Sequence, residues 1–265
     1  MMEPITETWW PRFREAVEAD IFKRRPIQLA CSICQELITT NSSEPSHSNV
    51  DGTSHAAVII PCGHIVGLSC LIRWLVHSNR PERNYSRCPA CNAKCFHHPR
   101  CGHRCMGRML PGNPGKYSTI PPVLSAGGVV APECSKCEAK LLLRQLCKYA
   151  KIYPTLIPAP GRDQYIGFGL LINGIAAVYT PPPLDKQGVD YRRTSDVVIN
   201  SGLSTVWNIN KQIMALKASR FWYEIDLTAL EFTISIFQSG APSPKNPPMV
   251  METDEPEIIG MDEEV

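Results

Sequence analysis

Cys31-Ser32-Ile33-Cys34, Cys62-Gly63-His64, Cys70 and Cys88-Pro89-Ala90-Cys91 follow one another along the chain, separated by gaps of 27, 5 and 17 residues. A single Cys-x2-Cys pair arises by chance or serves redox chemistry. Two pairs bracketing Cys-x-His supply seven soft ligands, one short of the eight that two tetrahedral zinc sites take. A second constellation follows, in which Cys101-Gly102-His103 and Cys134-Ser135-Lys136-Cys137 offer four more ligands and predict a third zinc. Either Cys95 or Cys105 is an alternative for one of those four. Otherwise Cys95, Cys105 and Cys147 read as free thiols, and His77, His97 and His98 as surface or packing residues.

The rest of the composition narrows the class. The chain has 265 residues, 12 of them cysteine and 24 proline, so small folded units joined by linkers are expected rather than one large core. Residues 1–19 contain acidic side chains and no long apolar run, which argues against a secretory leader; an intracellular, reducing setting, cytoplasmic or nuclear, and metal-bound thiols are expected. A formal net charge of +2 with scattered basic residues gives no stripe for a phosphate backbone, and no basic recognition helix is present, so nucleic acid is not the expected partner. The most apolar stretch, 166–178, is too short to span a bilayer and is broken by Gly167, Gly169 and Gly174, so no membrane partner is expected.

The predicted architecture is a small zinc-stabilised α+β chain. Trp10, Phe13, Val17 and Ile21 recur at helical spacing over residues 8–22 and predict an amphipathic packing helix within an N-terminal unit, 1–27. Zinc units over 28–95 and 96–150 follow, with long loops at 35–60 and 111–122. A small α+β region is expected over 151–238. It contains a β-hairpin, Tyr165 to Ile172 and Ile175 to Thr180, about the turn pair Asn173-Gly174 with positive φ at both positions. A helix carries Leu203, Val206, Trp207, Ile213 and Met214 with Ser201 or Ser204 as N-cap, and a short strand carries Phe232, Ile234 and Ile236. From residue 239 the chain is proline-rich and then acidic, which predicts a disordered tail. Ile258, Ile259 and Met261 lie in that acidic setting and resemble SUMO-interacting segments, although a solvated tail is the simpler reading.

Between Cys31 and Cys91 the chain resembles the RING finger family, in context as well as spacing. Ile33 lies inside the first pair, Cys62-Gly63-His64 at the third and fourth ligands, Trp74 four residues after the sixth ligand, and Cys88-Pro89-Ala90-Cys91 at the end. The resemblance implies a cross-braced module, with Cys31, Cys34 and Cys70 on one zinc and Cys62, His64, Cys88 and Cys91 on the other. The family's fifth ligand falls three residues after His64, where this chain has Gly67. The first site is then one donor short, and His55, His47 and Asp51 are the candidates to complete it, His55 preferred. An open position also raises metal-assisted hydrolysis, but no carboxylate stands at a fixed short offset as general base, so no catalytic residue is assigned.

The family binds a ubiquitin-conjugating enzyme, the expected partner here, in a shallow groove to which Ile33, Trp74 and Pro89 would contribute apolar contact. The resemblance implies a RING-type ubiquitin ligase that orients the conjugating enzyme's ubiquitin thioester toward an unknown protein substrate without a covalent intermediate of its own. In the family the residue after the last ligand is often an Arg that bridges enzyme and ubiquitin; here it is Asn92. The competing expectation is a non-catalytic, zinc-stabilised interaction scaffold built on a degenerate module.

Overall fold

The computed structural model describes residues 2–20, 22, 25–40, 54–77, 87–152, 161–173, 175–182 and 191–239. The acidic tail with its SUMO-like segment, Ile21, His47, Asp51, Gly174 and the side chain of His77 lie outside the described residues.

Among the described residues, fifteen α-helices and strands divide between two cores. The first core begins with α1 (Trp10–Ala19), in which Pro11 presets the opening turn and Trp10 and Phe13 are buried. Their rings pack on Tyr117, Trp10 edge-on at 5.0 Å. The entry to this helix is laced to the Cys62-Gly63-His64 turn. Trp10 N–H donates to Gly63 O at 2.6 Å, and Ile65 N–H donates to Thr8 O at 2.7 Å. Gly63 has φ +101, and a Cβ there would meet the Trp9 indole at 2.9 Å, so glycine is required on both counts.

β1 (Leu29–Ala30) and β2 (Leu37–Ile38) form the hairpin that carries Cys31 and Cys34. β3 (Ala57–Ile59), β4 (Ile65–Gly67), α2 (Leu68–His77) and β5 (Arg108–Met109) follow, and the three strands make a sheet in the order β4-β3-β5. The loop expected over 35–60 therefore contains two strands. They escaped pattern reading because they are two or three residues long and β3 is buried on both faces, which erases the period of two. The segment 111–122 likewise contains a 3₁₀ helix, Pro114–Thr119, capped by Asn113, whose Tyr117 is core. Because β5 pairs with β3, and Cys95, Phe96, Cys105, Ile120 and Val123 sit in the same core as Ile59 and Leu71, strand pairing and packing both run across residue 95.

The second core lies between two helices and a four-stranded antiparallel sheet. After β6 (Val129–Val130) come α3 (Ser135–Ile152), β7 (Gln164–Ile172), β8 (Ile175–Tyr179), β9 (Tyr191–Val197), α4 (Ser201–Ala218), β10 (Phe221–Trp222) and β11 (Leu230–Ser239), with sheet order β8-β7-β11-β9. Leu170, Leu230, Phe232 and Ile234 face Leu142, Leu146, Leu203, Trp207 and Met214. β7 and β8 pair from Ile172↔Ile175 outward, and Asn173 has φ +51 as a turn residue should. Gly167 and Gly169 lie on the other face, where a Cβ would strike the rings of Phe237 and Tyr179; their absent side chains let those rings lie against the sheet.

Two local expectations shift. The N-cap of α4 is Asn200, not Ser201 or Ser204, because its side-chain oxygen reaches Leu203 N–H at 2.8 Å. Ile213 is 43 % exposed, so the buried stripe is Leu203, Trp207 and Met214. The two cores meet at β10, which pairs parallel with β6; Trp222 belongs to the first core, donating its indole N–H to Met106 O at 3.1 Å, and Tyr223 to the second.

Candidate metal centres

Among the described residues, three clusters of three thiols and one imidazole stand within the first 137 positions, and in each the four ligand atoms lie within 4.8 Å of one another. Cys31, Cys34, His55 and Cys70 form the first; Cys62, His64, Cys88 and Cys91 the second; Cys101, His103, Cys134 and Cys137 the third. Sulfur-to-nitrogen separations are 3.4 Å for Cys34–His55, 3.4 and 3.8 Å for Cys62 and Cys88 to His64, and 3.5 and 3.3 Å for Cys134 and Cys137 to His103. A tetrahedron with zinc–sulfur bonds of about 2.3 Å and zinc–nitrogen bonds of about 2.0 Å has mixed edges of roughly 3.5 Å. Donor set and spacing are those of a zinc-finger type module.

Local backbone explains how each ligand arrives. Cys31 and Cys88 open matching turns. Cys31 N–H donates to Glu36 O and Gln35 N–H to Cys31 O, both at 2.8 Å; Cys88 N–H donates to Ala93 O at 2.8 Å and Asn92 N–H to Cys88 O at 2.9 Å. The residue after each pair, Gln35 or Asn92, is left-handed, at φ +66 and +62. Backbone N–H groups are aimed at sulfur, Gly67 N–H at Cys31 (3.4 Å) and Ala90 N–H at Cys88 (3.3 Å), which favours thiolate. In the two Cys-Gly-His groups the imidazole presents Nδ1, the nitrogen nearer the main chain.

His55 is the donor that completes the first cluster, and Gly67 makes room for it. A Cβ at Gly67 would sit 2.6 Å from His55 Nε2 and closer still to Cε1 and Nδ1. The ring therefore occupies the space in which a side chain at Gly67 would have presented a ligand. Nδ1 lies 2.8 Å from the buried Ser69 hydroxyl; as a donor there it leaves Nε2 with the lone pair that faces Cys34.

The thiols cannot all ionise without a cation. Burial, then the neighbouring Cys34, pushes Cys70 up to about 12. The Cys62 thiol, then burial, pushes Cys88 up to about 12, and burial with Cys134 does the same to Cys137. Burial opposes ionisation of Cys101 too, but backbone N–H groups of Cys134 and His103 outweigh it and bring that thiol down to about 7. The raised thiols are protonated at neutral pH, and metal must displace those protons. Adding zinc to the metal-free chain at pH 7 is therefore expected to release at least one proton per cluster, acidifying a weakly buffered solution followed with an indicator dye. Affinity falls as pH falls, since protons then compete for sulfur. No acidification would mean the thiols were already ionised.

The residues expected at the partner surface keep accessible area. Ile33, Trp74 and Pro89 are half-buried, and Asn92 is exposed. Ile33 and Trp74 also pack on the first core, and the Trp74 indole donates to Arg87 O at 3.1 Å, so Trp74 is a packing residue with an outward remainder. His98 differs from expectation in its chemistry. It is buried with both ring nitrogens engaged, Nδ1 on Ala131 O at 2.7 Å and Nε2 on Glu224 Oε1. With Cys105 and Glu224 it forms a fourth group of ligand-type atoms. No signal in the sequence finds this group, because Glu224 stands far along the chain in no motif. Cys95, Cys105 and Cys147 form no disulfide, as expected of thiols outside the three sets of four; Cys95 and Cys105 are buried, and Cys147 is half-buried on α3.

Among the described residues no helix is long and apolar enough to cross a membrane. No family model matches the chain, and no curated protein or solved structure is significantly similar to it.

Proposed function

We propose that the chain is a RING-type ubiquitin ligase, with two zinc ions in a cross-braced module and a third at Cys101, His103, Cys134 and Cys137. The observation that carries this reading is the interleaving of the first two clusters: Cys62 and His64 of one fall between Cys34 and Cys70 of the other, and Cys88 and Cys91 follow. An interleaved pair fixes two loops and α2 as one rigid body, which is what holding a partner in a set orientation demands. His55 supplies the donor that Gly67 lacks, which removes the main reason for reading the module as degenerate.

In this mechanism zinc is structural. Ile33 and Pro89, each within a Cys-x2-Cys turn, and Trp74 on α2 form the apolar contact to a ubiquitin-conjugating enzyme. The ligase holds the enzyme's ubiquitin thioester ready for attack by a lysine of a protein substrate, and no residue of this chain becomes acylated.

Asn92 sets the level of activity. It is exposed, so a side chain there meets the partner, but an amide lacks the planar five-donor fork of Arg. Asn92→Arg is expected to accelerate ubiquitin discharge from a matched conjugating enzyme about tenfold, the worth of one charge-assisted hydrogen bond of about 1.5 kcal/mol. The left-handed backbone at this position costs an Arg about 1 kcal/mol of local stability, small against metal ligation. The same observation favours the second reading, a zinc-stabilised interaction scaffold. Single-turnover discharge across a panel of conjugating enzymes separates the two: acceleration by the parent supports the ligase, and background rates for both parent and Asn92→Arg support the scaffold.

A further inference from the structure

We propose that His98, Cys105 and Glu224 form a fourth site for a divalent metal ion of the zinc class, with one sulfur, one nitrogen and one carboxylate oxygen as protein donors. His98 Nε2, Cys105 Sγ and a Glu224 oxygen lie within 4.8 Å of one another, and neither His98 nor Cys105 is more than 1 % exposed. The site does not rest on the ligase reading.

The backbone presents His98 as it presents two established members of the clusters. His98 N–H donates to His103 O and Gly102 N–H to His98 O, both at 3.0 Å, and Gly102 is left-handed at φ +68. These are the offsets, five and four residues, and the handedness of the turns opened by Cys31 and Cys88. His98-x2-Cys101 thus stands where those turns carry Cys-x2-Cys. Its second residue goes to the third cluster, while its first places Nε2 on Glu224.

Two of the three donors are held from behind, and the Cys105 thiol has only a 4.0 Å contact to Met106 O besides. Nδ1 of His98 gives its proton to Ala131 O at 2.7 Å, which leaves Nε2 as the coordinating nitrogen of a neutral ring. One Glu224 oxygen takes Ser135 N–H at 3.1 Å and the Ser135 hydroxyl at 2.5 Å, leaving the other to face Nε2. A lone pair set against a carboxylate oxygen needs a cation between them or a second proton on the ring. Cys105 weighs toward the metal, since a third donor converging on the point is of no use to an imidazolium–carboxylate pair. An ion there opens the His98–Glu224 contact to the roughly 3.3 Å edge of a zinc tetrahedron, by a small withdrawal of the carboxylate. The Glu224 side chain is 16 % exposed, which gives the ion its entry and water the fourth position.

Such an ion joins the third cluster to the segment after β10, and so ties the two cores together. The full chain, dialysed against micromolar zinc, is expected to hold one more zinc than Cys105→Ser or Glu224→Gln treated alike, both variants being checked for folding by circular dichroism. Equal zinc in parent and folded variants overturns the proposal. Where the variants do not fold, stepwise cobalt(II) loading of the metal-free parent decides. Three ions each meet three thiolates and the fourth meets one, so one step should add about a third of the thiolate charge-transfer absorbance of the others. A titration ending after equal steps, with no weak one, also overturns it.

Discussion

Removing metal with a strong chelator is expected to unfold the N-terminal core while much of the C-terminal sheet survives. The first core is built from strands of two or three residues and two ten-residue helices, α1 ahead of the metal ligands and α2 among them, and Cys31, Cys62 and Cys88 are themselves among its buried members. Too little regular structure connects these pieces to fold without cross-links, and each structural zinc contributes roughly 10 to 16 kcal/mol of apparent folding free energy at neutral pH. The second core differs: α3, α4 and β11 are 18, 18 and 10 residues long and bury Leu142, Leu170, Leu203, Trp207 and Ile234 together. Near-ultraviolet circular dichroism from Trp10 and Tyr117 should collapse on chelation, with strand signal retained and zinc restoring the near-ultraviolet signal. An unchanged near-ultraviolet spectrum after verified metal removal would mean that packing alone holds the first core.

The second large effect concerns the exchange of positions between His55 and Gly67. His55→Ala should weaken the first site by more than the roughly 10–100-fold that loss of an outer-shell partner costs, because it removes a direct donor. Gly67→Ala should be as damaging although it deletes nothing, since the new Cβ invades the His55 ring. The double variant His55→Gly with Gly67→His is expected to recover binding, with the imidazole entering from β4 instead of from two residues before β3. Competition with a chromophoric chelator reads all three affinities. If the double variant binds no better than His55→Ala, the two positions are not interchangeable routes to the same coordination point.

That exchange marks the limit of what the residue order discloses. Ligands in short motifs were legible because thiol and imidazole spacing encodes a turn, and the structure gathers each expected ligand into a four-donor cluster. His55 was one of three candidates because it lies in no motif; only the pairing of β3 with β4 brings its ring over Gly67. The hairpin at Asn173, α1, α4 and β11 were legible from periodicity and turn chemistry, with boundaries displaced where an unforeseen cap such as Asn200 intervened. Strands β2 and β3 were not, being short or buried on both faces. Least legible was His98, whose burial depends on Glu224, 126 residues away, and on Ala131.

The proposed function turns on whether an apolar surface next to rigid metal turns accelerates ubiquitin transfer. Ile33 is the most direct probe, since it lies between Cys31 and Cys34, contributes no ligand and remains half-exposed. Loss of a central interface side chain costs about 2 kcal/mol, or roughly 30-fold in affinity. The decisive measurement is single-turnover discharge of ubiquitin to free lysine from a panel of conjugating enzymes, comparing the full chain with Ile33→Ala at matched zinc content. The ligase account predicts acceleration by the parent with at least one enzyme and a rate near background for Ile33→Ala. Equal rates for the two proteins, whether both fast or both at background, would contradict it.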